Sequence, residues 1–205
     1  RVVLCNRNVT WTYDVRRREW DYPMLKEAAG GSYKMHLSST PTGVVAWSGD
    51  GRFRRYDAKA RKWEPLPMKG PRPPQPMADH TGMCYDSKRN CLWLSLKAGE
   101  TLFRYDMADG KVTRIETGQK VDNAFPREMW YVPPLDMLLC ISRIRVEDGK
   151  AGNLAFDPEK GRWVGLVMPC KGGKDWAGQR RNRYPGLTLV YDPEYNVAIY
   201  VGHTT

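Results

Sequence analysis

The chain has no apolar run longer than about five residues, where a membrane-crossing helix needs roughly twenty, so no helix encoded here spans a bilayer. No secretory leader is visible. The chain starts at Arg1 and not at Met, which leads us to expect that an upstream segment was removed or never included. Cys5, Cys84, Cys91, Cys140 and Cys170 are odd in number and form no CxxC pair, so neither a disulfide framework nor a structural zinc site is indicated. The redox compartment stays open, with an extracytoplasmic setting favoured. Only three histidines occur, His36, His80 and His203, and none has a partner at ligand spacing. There is no Gly-rich phosphate loop, Ser nucleophile elbow or HExxH motif. The nearest local acid pairs, Asp157 with Glu159 and Glu147 with Asp148, fall in predicted turns. Acids distant in sequence can still converge in a fold, so a glycosidase-type pair is neither indicated nor excluded.

What the sequence does contain favours β-structure. Eight Trp, eleven Tyr and four Phe are bulky strand formers, and fifteen Pro with nineteen Gly supply frequent turns. The 205 residues suffice for a real core. The 33 basic against 23 acidic residues leave a net charge of +10, which favours polyanionic partners in general. Yet the cations are scattered over Arg16 to Arg18, Arg52 to Arg55, Lys59 to Lys62, Lys171 to Lys174 and Arg180 to Arg183, mostly in predicted turns where solvated charge is ordinary. Nucleic acid as a partner rests on net charge alone and is disfavoured.

One motif recurs: an aromatic, an Asp, five residues, then a bulky apolar residue. It reads Tyr13-Asp14 with Trp20, Tyr56-Asp57 with Trp63, Phe156-Asp157 with Trp163, and, with Val112 in the Trp place, Tyr105-Asp106. Successive copies are 43, 49 and 51 residues apart, the signature of a structural repeat. The physics is that of a hairpin. A β-type segment precedes the aromatic, the Asp accepts hydrogen bonds from the turn, and the Trp opens a second strand. In Trp63-Glu64-Pro65-Leu66-Pro67 that second strand carries proline, so it must lie at a sheet edge.

A second hairpin signature precedes the first. Met83 to Asp86 with Cys91 to Ser95 is the clearest copy, matched by Met129 to Tyr131 with Met137 to Ile141 and by Leu189 to Asp192 with Val197 to Val201. Together the two give a four-stranded unit: inner hairpin, loop, outer hairpin. Placing Cys84 opposite Cys91 puts Met83 beside Leu92 on one face and Cys84, Cys91 and Trp93 on the other. Both faces are bulky, as in a sheet sandwiched between two neighbours.

These residues resemble kelch repeats, which are blades of a β-propeller. Kelch blades show an inner strand ending near Tyr-Asp, a Gly-Gly pair after the second strand, and Tyr-x6-Trp across the outer hairpin. The spans His80 to Ile115, Tyr33 to Leu66 and Arg127 to Leu166 are each similar to a whole blade. The Gly-Gly pair is replaced by Ser48-Gly49, Ser95-Leu96, Ser142-Arg143 and Gly202-His203, so the likeness is to an atypical member of the kelch and galactose-oxidase-like superfamily. Quinoprotein and WD-type propellers are the nearest alternatives, and no Trp-Asp pair closes any predicted blade. The expected fold is therefore all-β, a propeller of four-stranded antiparallel blades. We expect one propeller region over 1–205: a partial blade over 1–22, blades over 32–67, 79–117 and 127–168, and a partial blade over 184–205. Those strands do not divide into whole blades, and kelch rings have six or seven. The chain is thus expected to be part of a larger six- or seven-bladed ring.

The resemblance brings in galactose-oxidase-type enzymes, which hold copper through Tyr and His. His80 and Cys84 share a strand face by parity but lie about 13 Å apart at roughly 3.3 Å per residue. No metal and no cofactor is called for. Inner strands of a propeller line its channel, and the candidate ligand-binding residues follow from that: His36 and His80 near the starts of predicted innermost strands, with Arg127, Glu128 and Arg183 at equivalent places. The long loop Lys171 to Tyr184 adds Trp176, Arg180, Arg181 and Tyr184, aromatics bracketing arginines, which suits stacking on sugar rings while pairing with anions. Structural hydrogen bonds between blades and a solvated basic loop explain the same residues. The Pro-rich stretch Gly70 to Pro76 reads as an extended linker between blades. The function expected is a non-catalytic module binding a protein or a glycan, acidic glycans included, through loops and channel mouth. The alternative is a carbohydrate-active enzyme, a polysaccharide lyase or oxidase, with His80 and Arg127 or Arg183 as base and charge neutraliser.

Overall fold

The computed structural model describes residues 2–6, 9–21, 35–74, 82–96, 99–119, 129–145, 151–166, 188–192 and 197–201. Their strands are β1 (Val2–Asn6), β2 (Val9–Asp14), β3 (Glu19–Trp20), β4 (His36–Thr40), β5 (Gly43–Trp47), β6 (Phe53–Asp57), β7 (Lys62–Pro65), β8 (Gly82–Asp86), β9 (Cys91–Leu96), β10 (Thr101–Asp106), β11 (Val112–Glu116), β12 (Met129–Val132), β13 (Met137–Arg145), β14 (Ala151–Asp157), β15 (Arg162–Leu166), β16 (Thr188–Asp192) and β17 (Val197–Val201). Among the described residues, regular structure is β apart from a 3-10 turn at Pro133–Leu135 and the 3-10 residue Gly99.

Five antiparallel sheets follow in chain order. The first is β1-β2-β3; the second, third and fourth are the complete meanders β4 to β7, β8 to β11 and β12 to β15; the fifth is β16-β17. β7 is outermost, where Pro65 costs no ladder bond. The four-stranded sheets stack face to face, with the innermost strands β4, β8, β12 and β16 as successive neighbours. This is the architecture of a β-propeller.

The repeated Asp builds the turn. Asp14 accepts from the backbone N–H of Arg16 and Arg17 at 3.0 and 3.1 Å. Asp57 accepts from Lys59 and Ala60 at 2.8 and 2.9 Å, and Asp157 from Glu159 and Lys160, both at 3.0 Å. Asp86 does the same for Lys88 and Arg89 in an inner hairpin, at 3.0 and 3.1 Å. Each turn then ends four residues after its Asp in a left-handed residue: Arg18, Arg61, Asn90, Gly110 after Asp106, and Gly161. That geometry makes the loop four residues long and sets the strand register. Tyr13 therefore faces Trp20, Tyr56 faces Trp63, Tyr105 faces Val112, and Phe156 faces Trp163.

The same four-residue turn corrects one expected register. Asp86, not Cys84, pairs with Cys91, and Cys84 lies opposite Trp93. The shift is two residues, so parity and facing are preserved. Cys84, Cys91 and Trp93 pack toward the fourth sheet with Met129, Leu138, Cys140 and Phe156, while Met83, Leu92 and Leu94 pack toward the second with Val45, Trp47 and Phe53. Register also corrects the proposed equivalence of Ser48 with Ser95. Phe53 and Leu102 each stand four residues before the repeat Asp, and their partners are Trp47 and Ser95.

In the second and fourth sheets the Trp of the outer strand keys its sheet onto the preceding one. Trp63 donates its indole N–H to Thr10 Oγ1 at 2.9 Å, and Trp163 to the Gly99 carbonyl at 2.7 Å. A buried Trp removes on the order of 200 Å² from water, worth about 5 kcal/mol against full exposure. Where Val112 replaces Trp, a strap of chain fills the place. Pro67 O accepts from Tyr105 Oη at 2.9 Å, Lys69 N donates to Gly110 O at 2.9 Å, and Val112 N donates to Lys69 O at 2.7 Å, a parallel bridge beside β11. The expected linker is thus, over its described part, a piece of the inter-sheet seam. Between the third and fourth sheets Gln119 plays that part, accepting from Trp163 N at 2.6 Å and donating to Trp163 O at 3.3 Å.

Candidate functional site

Of the nine candidate ligand residues, the described structure contains His36. His80, Arg127, Glu128, Trp176, Arg180, Arg181, Arg183 and Tyr184 lie outside the described residues.

His36 opens β4, directly opposite Trp47 at the end of β5, with ring centroids 5.9 Å apart and planes inclined by 33°. Burial pushes the imidazole pKa down to about 4 from 6.5, because desolvation disfavours the charged form. His36 is therefore neutral near pH 7. Its imidazole is polar but uncharged, which suits hydroxyls and not a lone anion. Trp47 is fully buried, and its indole N–H has no hydrogen-bond partner among the described residues.

The loop after Trp47 is tied down by charge. Arg54 donates to Ser48 Oγ at 2.6 Å and forks onto Asp50, 3.1 Å to Oδ1 and 2.8 Å to Oδ2. Burial alone would raise the Asp50 pKa. Hydrogen bonds from Arg54 and Ser48, with the Arg54 charge, outweigh it and bring the carboxyl to about 2. Arg72 donates to the Asp50 carbonyl, and a Cβ on Gly51 would sit 3.0 Å from Pro73 O. The strap thereby anchors the loop beside His36.

At the opposite ends of the strands lies a charged cluster that sequence reasoning missed. Arg89 forks onto Asp136 at 2.7 and 2.9 Å and reaches Asp86 Oδ2 at 2.9 Å. Trp93 Nε1 donates to the same Asp86 oxygen at 3.1 Å, and Tyr131 Oη donates to Asp136 at 2.9 Å. Lys88 bridges Asp136 and Glu159 at 2.5 and 3.2 Å. Hydrogen bonds from Arg89 hold the Asp136 carboxyl well below the usual range. The cluster joins the β8–β9 turn to the β12–β13 turn, so β8 and β12 end together and also begin together at the other end. Its polar groups satisfy one another, which makes it a clamp between sheets. The signal in the sequence was the Lys88-Arg89 pair inside a repeat turn, indistinguishable there from solvated charge.

Among the described residues no group of three His, Cys, Asp or Glu is placed to hold a metal ion. Cys84, Cys91 and Cys140 are buried thiols whose pKa values are raised by desolvation, Cys91 to about 12. No described helix is long and apolar enough to cross a membrane.

No protein-family model matches the chain, and a search of curated proteins finds no match. Solved structures share its fold. Two crystal structures of the extracellular domain of BT4673 from Bacteroides thetaiotaomicron, titled a one-component and a hybrid two-component system, superpose with TM-scores of 0.50 and 0.52 at 15% identity, covering 82% of this chain and 21% of that one. TolB from Acinetobacter baumannii superposes with a TM-score of 0.49 at 12% identity, covering 95% of this chain and 48% of TolB. The chain thus spans about a fifth of BT4673's extracellular domain and about half of TolB. At such identities the likeness is one of fold.

Proposed function

We propose that this chain is a kelch-like propeller segment that serves recognition without catalysis, holding a protein or a glycan where its innermost strands begin. The observation that carries this is the succession of β4, β8 and β12 as neighbouring innermost strands, the first of which His36 opens. His80 and Arg127 each stand two residues before one of those strands in the sequence, and Arg183 stands five before β16. A neutral His36 suits a hydroxyl-rich ligand, and arginines at the neighbouring entries suit its carboxylates. An acidic glycan satisfies both. BT4673 supports the reading in kind, since a propeller of this fold serves there as an extracellular domain.

The test is a binding panel of acidic and neutral polysaccharides at low and high salt, with product formation read in parallel. Binding that weakens with salt and is lost in Arg181→Ala and Arg183→Ala, with no product, is the expected result. New unsaturated or oxidised chain ends would replace the reading with a carbohydrate-active enzyme. Absence of binding to every glycan would leave a protein as the ligand.

A further inference from the structure

The first sheet carries on one face the pattern that three later sheets bury, and leaves it bare. By register Val2 lies opposite Tyr13 and Tyr13 opposite Trp20, with the two rings 5.0 Å apart. Thr10 and Thr12, of opposite parity on β2, are buried on the other face, which receives Trp63. In the later sheets the equivalent of Trp20 always docks on the sheet before it. Trp63 is 8% exposed, Trp163 4%, and Val112, which holds that place in the third sheet, 2%. Trp20 is 42% exposed and Val2 45%, and the Trp20 indole N–H meets no acceptor among the described residues. The same side chains at the same register thus differ only in what lies beyond them.

We propose that this face is a docking face for a blade, and that its occupant is a further four-stranded blade of this same repeat within the same ring. That blade offers the Trp20 indole an oxygen acceptor, a threonine hydroxyl as Thr10 does or a backbone carbonyl as Gly99 does. Repetition identifies the occupant: each time the aromatic–Asp–x5–Trp/Val pattern is buried in this chain, a sheet of the same kind buries it. An exposed apolar face of this make-up also calls for a partner. The matched part of BT4673 is 21% of that chain, so the solved relative extends well past the region shared here. The inference stands independently of the ligand reading.

Hydroxyl-radical footprinting by mass spectrometry tests it, with Trp63 and Trp163 as buried internal standards. In the natural polypeptide purified from its source, Trp20 is expected to oxidise as slowly as Trp63. In the isolated 205-residue chain it is expected to oxidise several-fold faster at every concentration. Fast oxidation in the natural polypeptide overturns the proposal. So does protection in the isolated chain at all concentrations, which would make the chain's own β16-β17 sheet the occupant. Protection that grows with concentration overturns it in favour of a second copy docked head to tail. A photo-cross-linker on a Trp20→Cys variant of the natural polypeptide then identifies the covering peptide. A peptide from an aromatic–Asp–x5–Trp repeat is expected, and one without the repeat overturns the proposal.

Discussion

Trp163 occupies the space that a side chain on Gly99 would need. A Cβ at Gly99 would lie 2.9 Å from both Cε2 and Nε1 of the indole, and the Gly99 carbonyl accepts the Trp163 N–H at 2.7 Å. Gly99 also has φ +72, a conformation that costs an L-residue about 1–2 kcal/mol. Gly99→Ala should therefore lose about 3 kcal/mol, the steric displacement adding to the backbone term. Chemical denaturation measures it, and a loss within the backbone term alone would mean that the indole moves aside freely.

The Trp63–Thr10 hydrogen bond predicts energetic coupling between two sheets. Trp63→Phe removes the donor and Thr10→Val the acceptor, and Thr10→Val alone leaves the indole N–H without this bond. A double-mutant cycle should give a coupling of about 1 kcal/mol. Additive losses would show that the bond contributes nothing beyond burial.

Two glycines share a backbone need and differ in room. Gly161 and Gly110 close repeat turns at φ +63 and +73, yet a Cβ on Gly161 meets nothing within 4 Å, whereas one on Gly110 runs into Pro67 O. Gly161→Ala should cost about 1 kcal/mol and Gly110→Ala clearly more. Equal losses in thermal unfolding would remove the strap from the account.

His36 gives stability a pH dependence of defined sign. Its native pKa is about 4 against 6.5 ordinarily, so below pH 6.5 the unfolded chain binds a proton that the native state refuses. Stability should be full above pH 6.5 and fall between 6.5 and 4, by at most about 3 kcal/mol. Asp50 acts in a lower window, losing its contribution as pH falls from 3.8 toward 2. Comparing unfolding midpoints of the native sequence and His36→Gln at pH 6.5 and 4 isolates the histidine. An unchanged slope in the variant would assign the effect elsewhere.

Asp136 holds two turns of different sheets together. Asp136→Ala should cost about 3 kcal/mol, because Arg89, Lys88 and Tyr131 lose a shared acceptor at once. Asp136→Asn should recover part of the loss by still accepting from Tyr131.

The repeat was legible because its physics is local. An Asp that binds the amides two and three residues on and an aromatic that faces a Trp seven positions on both follow from the sequence of a single hairpin. Edge placement of β7 followed from Pro65 for the same reason. The Cys84 register differs by two residues because a left-handed Asn90 closes the turn within four residues, tighter than a Cys84–Cys91 pairing implies, a conformation that asparagine permits and does not announce. The Arg89–Asp136 clamp and the strap at Lys69 were illegible, since they join residues whose proximity only the stacking of sheets creates. Of the candidate site, the position of His36 at the head of an inner strand was readable. Its neutrality was not, because that depends on burial beside Trp47.

The strap also separates two kinds of evolutionary robustness. Lys69 bonds β11 through main-chain atoms alone, so drift in its side chain cannot loosen the second and third sheets. Identity constrains this seam at Gly70, where a Cβ would lie 2.6 Å from Val112 O, at Gly110, where one would meet Pro67 O, and at Tyr105, whose hydroxyl donates to Pro67 O. The seam between the third and fourth sheets is fastened instead through side chains, among them Gln119, whose replacement by glutamate would set a negative oxygen against the Trp163 carbonyl. Duplication or exchange of blades at the first seam would carry its main-chain fastening along with few fixed positions, whereas the second seam must be inherited as matched side chains.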